Sequence, residues 1–296
     1  MSDAPILVIG KTGQLAQALN GDPRVVCLSR DQLDLSWPAE QIVSDLSGFL
    51  SEYGTADDAE ISGVINAAAF TAVDAAEDDI VTARAINAVA VGAISKACAM
   101  KGVPLVHIST DYVFDGSAIS PYHPDQPTAP VNAYGLTKRD GETALLVSGL
   151  DRFVILRTSW VYDASGKNFM NTMLRLAETR DRLSVVDDQC GRPTYAGDLA
   201  DACFAALKGL ATGRPSGIYH VTNTGSIISW ADFAHAIFKV AGKPVTVTGI
   251  PTSSYPTPAK RPAYSAMDTQ SFETTFDHTL PDWQNGLERA VRARQT

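Results

Sequence analysis

The sequence is short of cysteine, histidine, positive charge and long apolar runs, and each shortage closes off a class of function. The 4 cysteines, Cys27, Cys98, Cys190 and Cys203, are scattered without metal-ligand spacing, three of them in apolar or helical surroundings. They read as reduced packing residues rather than a disulfide framework or a zinc site. The 5 histidines pair nowhere at ligand spacing, so no structural metal is expected. Lys and Arg number 24 against 33 Asp and Glu, a net charge of −9. Affinity for nucleic acid rests on basic patches that neutralise phosphate, so no nucleic-acid partner is expected and any phosphate must be bound locally. No apolar run approaches the roughly 20 residues of a membrane span. Met1-Ser2-Asp3-Ala4-Pro5 runs straight into an apolar strand and leaves no room for a secretory signal, so the expected location is the cytoplasm. Repeats and low-complexity tracts are absent as well. The remaining composition, 45% apolar and 19% charged over 296 residues, suits a soluble globular protein with a large core in one elaborated domain or two.

What is present is a concentration of chemistry in His107-Ile108-Ser109-Thr110-Asp111-Tyr112-Val113-Phe114, followed by Tyr134-Gly135-Leu136-Thr137-Lys138. A hydroxyl, a phenol and an ammonium four residues past the phenol can together hand a proton to a carbonyl oxygen. Asn132 suits the cap of a helix from Ala133 to about Leu146, on which Tyr134 and Lys138 share a face. A cation beside a phenol favours the phenolate, so Lys138 is expected to lower the Tyr134 pKa and Tyr134 to act as the acid. Thr110 adds a second donor if Val103–Ile108 is a buried parallel strand, because ligands sit beyond the carboxyl ends of such strands. A Tyr-x-x-x-Lys pair also arises as a plain packing contact on a helix surface; the Ser-Thr-Asp at a strand end favours the chemical reading.

Ile6–Ile9 runs into Gly10-Lys11-Thr12-Gly13-Gln14-Leu15-Ala16, after which Leu15, Ala18 and Leu19 continue at helical spacing. Strand, glycine-rich turn and helix start together let backbone N–H groups approach a pyrophosphate. Strand-like runs recur at Val25–Leu28, Gly63–Asn66, Val103–Ile108 and Phe153–Leu156, separated by helix-like Pro38–Glu52, Asp74–Lys101 and Asn132–Ser148. That alternation predicts an α/β protein with a doubly wound parallel sheet, the Rossmann architecture. A basic residue after the second strand accommodates the extra phosphate of NADP; Ser29-Arg30 stands there and Lys11 lies in the loop, so NADPH is expected to be preferred, with NADH tolerated. Asp34 and Leu35 fall where a loop could reach the adenine. Ala67, Ala68 and Ala69 end a strand with side chains small enough for a cofactor to lie on the backbone, although such runs also occur as packing. Asn87, inside the helix-like stretch after Asp74, reads equally well as a structural amide.

After about Thr158 the alternation loosens into Pro- and Tyr-rich segments, Gly191-Arg192-Pro193-Thr194 and Pro251–Pro262, the irregular loops on which specificity is built. Lys260 and Arg261 suit a diphosphate, or are a solvated pair. Gly217–Val221 reads as a strand returning to the main sheet. The expected division is therefore a dinucleotide-binding domain over 1–158 with a returning segment near 195–225, and a smaller mixed α/β substrate-binding domain, discontinuous in sequence, over most of 159–296.

With these motifs laid out, the chain resembles the extended short-chain dehydrogenase/reductases, and within them a subgroup that reduces a nucleotide-linked keto-sugar. The resemblance runs from Ile6 to about Arg289 and is most specific at Gly10–Gln14, Asn66–Ala69 with Thr71–Asp74, Ser109–Phe114, Tyr134–Lys138, Arg157–Tyr162 and Tyr255–Pro262. It implies that Thr110, Tyr134 and Lys138 are the catalytic triad, that Lys138 also holds the nicotinamide ribose, and that Asp111 and Trp160 line the substrate pocket, with Asn168 and Arg261 in segments approaching the nucleotide-sugar. The implied reaction is reduction of the 4-keto group of dTDP-4-dehydro-L-rhamnose. Phe70 departs from the histidine often found there. Some relatives dimerise through Mg2+ held by carboxylates, but Ala18 and Gly197 stand at two of the aligned positions, so a metal bridge is not expected and the expected state is a monomer or weak homodimer.

Two other functions compete. A 4,6-dehydratase or 4-epimerase would share the scaffold, but a dehydratase needs Asp-Glu after the threonine, and here Tyr112 follows Asp111; an epimerase retains NAD, against the Arg30 reading. A non-catalytic regulatory subunit like that of methionine adenosyltransferase also resembles this sequence, against which the intact Thr110, Tyr134 and Lys138 argue.

Overall fold

A run of four fully buried apolar residues, Ile6–Ile9 (β1), lies one strand in from the edge of a six-stranded sheet. The computed structural model describes residues 4–54 and 61–295; Met1–Asp3, part of the reading on the secretory signal, lie outside the described residues. β1 is flanked by Val25–Leu28 (β2) on one side and Gly63–Asn66 (β3) on the other. Leu105–Thr110 (β4), Phe153–Thr158 (β5) and the strand Gly217–His220 follow outward from β3, every pair parallel. Helices cover both faces, which is why these strands read as continuous apolar runs rather than alternating ones. Strand order reverses at β1, between β2 and β3, and a crevice beyond the carboxyl ends at such a point is where an open α/β sheet binds ligands.

Two elements differ from the sequence reading. The fourth strand begins at Leu105 rather than Val103, because the Val103 N–H bonds to the Cys98 carbonyl and closes the preceding helix beside Gly102 (φ +63°), and Pro104 has no N–H to give. The expected continuous helix Asp74–Lys101 is broken. Asp79 leaves helical geometry and caps Ile80–Arg84 by accepting from the Thr82 N–H at 3.0 Å. Ala85–Val89 then widens into a π turn before Ala90–Lys101. Asn87 lies in that turn, taking the Phe70 N–H at 2.9 Å and donating to the Phe70 carbonyl and the Thr137 hydroxyl. It is the structural amide of the two readings. The whole span Ile80–Lys101 is long and apolar enough to cross a membrane by composition, contrary to the expectation of no such run. Half of it is buried, packed against Ala39–Gly54 (α2) and the helix Ala133–Leu146, which makes it a core helix.

Apart from the apolar clusters on the two faces of the main sheet, a further one is built in the second lobe, in which Met170, Phe233, Ile237, Trp283 and Leu287 pack against the paired parallel strands Arg182–Val186 and Thr246–Ile250.

Candidate active site

The helix Ala133–Leu146 starts where Asn132 accepts the Gly135 N–H at 2.8 Å, the cap that the sequence pointed to. Gly135 is required for a further reason: a Cβ there would collide with the Tyr112 carbonyl. The first turn is thereby pressed against the 3-10 turn Asp111–Val113 that follows β4. In that contact the Tyr134 phenol lies beside the Thr110 hydroxyl, and its ring meets Tyr112 edge-on, centroids 5.6 Å apart. Thr110 donates to Asp111 Oδ1 at 2.9 Å and accepts from the Tyr112 N–H at 3.2 Å.

Lys138 is one turn along the same helix and buried, but it does not act on the phenol in the expected way. Its ammonium donates to the Ile108 carbonyl at 2.6 Å and lies 3.5 Å from His107 Nε2. Burial pushes the Lys138 pKa down to about 8, with Glu142 opposing. The Tyr134 phenol is pushed up rather than down by burial, which the nearby Thr110 hydroxyl opposes and the Asp111 charge reinforces less strongly. Desolvation sets the direction, and the Lys138 ammonium is turned to a backbone carbonyl.

Beneath this group lies a network that the sequence reading did not anticipate. Glu142, one turn beyond Lys138, receives Arg157 Nε at 2.9 Å, Arg157 Nη2 at 2.7 Å and the Ser109 hydroxyl at 2.5 Å. Arg157 also donates to the Pro124 carbonyl at 3.1 Å and stands 5.0 Å over the Phe114 ring. Glu142 and Arg157 are each only 3% exposed, so the pair fixes helix, β4 and β5 to one another from inside. Asn66 Oδ1 takes the Ala68 N–H, which turns its Nδ2 towards His107 Nδ1 at 3.2 Å and leaves the ring proton on Nε2, facing Lys138. Burial, and then the Lys138 charge, hold His107 far below its usual pKa and therefore neutral. An arginine near the end of an apolar strand and a glutamate four residues past Lys138 were the available signals.

At the end of β1, Gly10 adopts φ +109°, and a Cβ there would sit 3.5 Å from Ala68. Gly13 caps the helix Gln14–Leu19 (α1) with no side-chain bond, leaving its first N–H groups open. Lys11, Thr12 and Gly13 are exposed, and Ala67, Ala68 and Ala69 are half-buried on the other side of Gly10. A backbone cradle open on one side and walled by alanines on the other fits a dinucleotide. Leu15, expected at the cofactor, is instead buried in the core, as is Leu35; only their backbones can face a ligand. The Asp34 carboxylate does not reach out for an adenine: it is occupied by the Ser36 N–H and hydroxyl and by Arg30 Nε at 2.9 Å. Arg30 itself is 76% exposed, at the rim below the end of β2.

On the other side of the crevice, Asp111 is 2% exposed. Its Oδ1 takes the Thr110 hydroxyl, Oδ2 has no partner, and burial pushes its pKa up to about 7, with Thr110 and the neighbouring Ser265 opposing. Trp160 holds φ +50°, a left-handed conformation rare for a bulky residue. Its indole stacks on Trp230 at 3.6 Å, which the sequence reading did not single out. Trp230, Phe169, Tyr112, Tyr255 and Arg261 line a cleft of about 870 Å³. Two expected substrate residues are engaged by partners within the protein. Asn168 caps the helix Phe169–Leu176 and donates to Gln14 Oε1 at 2.7 Å, tying the second lobe to the glycine loop. Arg261 is not a free cation for a diphosphate: it forks onto Asp74 at 3.0 and 2.7 Å, and that bond, with burial opposing, holds the Asp74 carboxyl below its usual range. The Lys260 carbonyl accepts from Asn132 Nδ2 at 2.8 Å.

A switch-point crevice with a glycine cradle on one strand and a threonine–tyrosine pair on another defines a Rossmann-type reductase. The family described as the RmlD substrate binding domain matches residues 4–296, and the chain belongs to that family. It is 43% identical to a dTDP-4-dehydrorhamnose reductase of Burkholderia thailandensis over 97% of this chain and 98% of that one. The crystal structure of such a reductase from Clostridium acetobutylicum superposes with a TM-score of 0.88 at 35% identity, covering 99% of this chain and 100% of the other. One from Bacillus anthracis, solved in complex with NADP, gives a TM-score of 0.89 at 32% identity, covering 98% and 99%.

Proposed function

We propose that this protein reduces the 4-keto group of dTDP-4-dehydro-L-rhamnose to the alcohol of dTDP-L-rhamnose, with NADPH as reductant. The observation that carries the reading is the juxtaposition of Thr110 and Tyr134 at the carboxyl end of β4, in a chain 43% identical over 97% of its length to a reductase of this substrate. The cradle from Gly10 to Leu15, with Ala67, Ala68 and Ala69, holds the dinucleotide; Arg30 and Lys11 take the 2′-phosphate; and the bound nicotinamide supplies the hydride. Thr110 and Tyr134 orient the keto oxygen, and Tyr134 gives it a proton as charge develops there. Asp111, Trp160 and the cleft beside Trp230 receive the sugar and nucleotide. Residues 1–158 with 195–225 serve the cofactor, and most of 159–296 serve the nucleotide-sugar. Dehydration lacks its acid, since Tyr112 occupies the position after Asp111 and its phenol is pushed above its usual pKa by burial, then by Asp111.

The test follows NADPH absorbance with the keto-sugar generated in situ. Wild type oxidises NADPH only when the sugar is present, and Tyr134→Phe lowers the rate by about 10²-fold or more. An unchanged rate in the variant, or no turnover in wild type, overturns the reading.

A further inference from the structure

Trp160 holds a conformation that needs support from outside. Its φ of +50° is one that a bulky residue keeps only where the surroundings over-determine it. The backbone is fixed on both sides: the Thr194 N–H bonds the Trp160 carbonyl at 3.2 Å, and the Ser159 hydroxyl donates to the Arg192 carbonyl at 2.8 Å. Neither contact fixes the ring, and among the described residues none accepts a hydrogen bond from its indole N–H. The orientation of the indole is therefore set by packing.

That packing is a slot with two walls. One is Gly191, where a Cβ would come within 2.9 Å of Trp160 Cε2, so the missing side chain is what lets the ring edge approach the backbone. The other is Trp230, whose ring lies at 9° to that of Trp160 with centroids 3.6 Å apart. Aromatic pairs left to themselves prefer an offset or edge-on arrangement, so an overlap this close is imposed by what holds the two rings. On the side of Trp230 the frame is plain. Cys190–Gly191 pairs antiparallel with Ile228–Ser229, which sets Gly191 opposite Ile228, two residues before Trp230. Ser229 and Asp232 then close a capping box, with bonds of 2.9 and 3.1 Å, that fixes the helix Trp230–Val240 at its first residue. Phe169 supports the Trp230 ring from 4.6 Å away. Both walls thus belong to one ladder and stand without Trp160. We propose that Trp230 is a positioning residue: by stacking on Trp160 it holds that indole in the orientation that receives the sugar.

This inference rests on the proposed ketoreduction and on the place of Trp160 in it, and steady-state kinetics separate the two. Trp160→Ala, Trp230→Leu and the double variant form a cycle. Trp230→Leu fills much of the space but offers no flat face. Each single variant is expected to lower kcat/KM for the keto-sugar by about 10-fold, through KM, with KM for NADPH unchanged. The double variant should lose no more than Trp160→Ala alone, because Trp230 then has nothing to hold. Trp230→Phe keeps a flat ring in the slot, is the mildest change to the fold, and should recover most of the loss. Losses that add in the double variant put Trp230 itself against the substrate and overturn the proposal. So does a Trp230→Leu variant as good as Trp230→Phe, which makes Trp230 a filler of space, or a rise in both Michaelis constants, which makes it a support of the whole fold. Wild-type inactivity on the keto-sugar, or a Trp160→Ala variant with wild-type kinetics, refutes the proposed function, and this inference falls with it.

Discussion

Removing Arg157 tests whether the buried pair under the active site holds it together. In Arg157→Met the Glu142 carboxylate keeps the Ser109 hydroxyl and loses both guanidinium bonds, 2.9 and 2.7 Å long. The variant also loses the bond to the Pro124 carbonyl and the cation over Phe114. Because both partners are 3% exposed, the abandoned carboxylate has no water to turn to, and breaking such a pair from one side costs about 3–5 kcal/mol. Against a total stability of about 5–15 kcal/mol this is a large fraction. It should appear in equilibrium urea unfolding as a lower midpoint with an unchanged slope. The double variant Arg157→Met/Glu142→Met removes the orphaned charge as well as the attraction and leaves the Ser109 hydroxyl and the Pro124 carbonyl short of a partner, so it should recover most of the loss, ending within about 1–2 kcal/mol of wild type. A single variant less than about 1 kcal/mol below wild type, or a double variant less stable than the single, would refute the account of the pair as a desolvated lock.

Gly141→Ala places a Cβ against the Asn87 carbonyl of the π turn; since a backbone must move, thermal unfolding should show a loss of about 1–3 kcal/mol, and an unchanged Tm would contradict the close contact. Lys138→Met addresses the pH dependence of stability. With the folded pKa at about 8 and an unfolded value near 10.4, the unfolded chain binds more protons between these limits, so the contribution of Lys138 to stability rises with pH across that window. The difference between wild type and variant, read from urea midpoints at pH 7.5 and about 10, should therefore shift in favour of wild type; a shift the other way would mean that Lys138 is paired in the fold. Arg30→Ala removes an exposed residue whose ion pair with Asp34 contributes little to stability. It should leave the Tm in place and raise KM for NADPH by about 10-fold or more, with a much smaller change for NADH; equal changes for the two cofactors would remove Arg30 from the phosphate site.

Where a residue's role depended on its neighbours in sequence, it was readable in advance. The Asn132 cap, the shared helix of Tyr134 and Lys138, the four-residue apolar strands and the glycine turn follow from spacing and from the burial of parallel strands on both faces. What could not be read in advance came from contacts across the chain. Lys138 was expected to act on a phenol one turn away, but the backbone of β4 took its ammonium. Arg261 was expected at a diphosphate, but Asp74, far earlier in sequence, holds it in a fork. Asn168 faces Gln14 rather than the cleft, and Leu15 points into the core because the helix that carries it must cover the sheet.

The sequence by itself determined the alternation of strand and helix, the position of the cradle, and which residues could donate a proton, because those depend on period, on cap chemistry and on side-chain type. Only the tertiary structure decided how those groups are tuned. The raised Tyr134, the neutral His107, the unpartnered oxygen of Asp111 and the Glu142–Arg157 lock all arise from burial, and burial is a property of the whole packed chain rather than of any stretch of it.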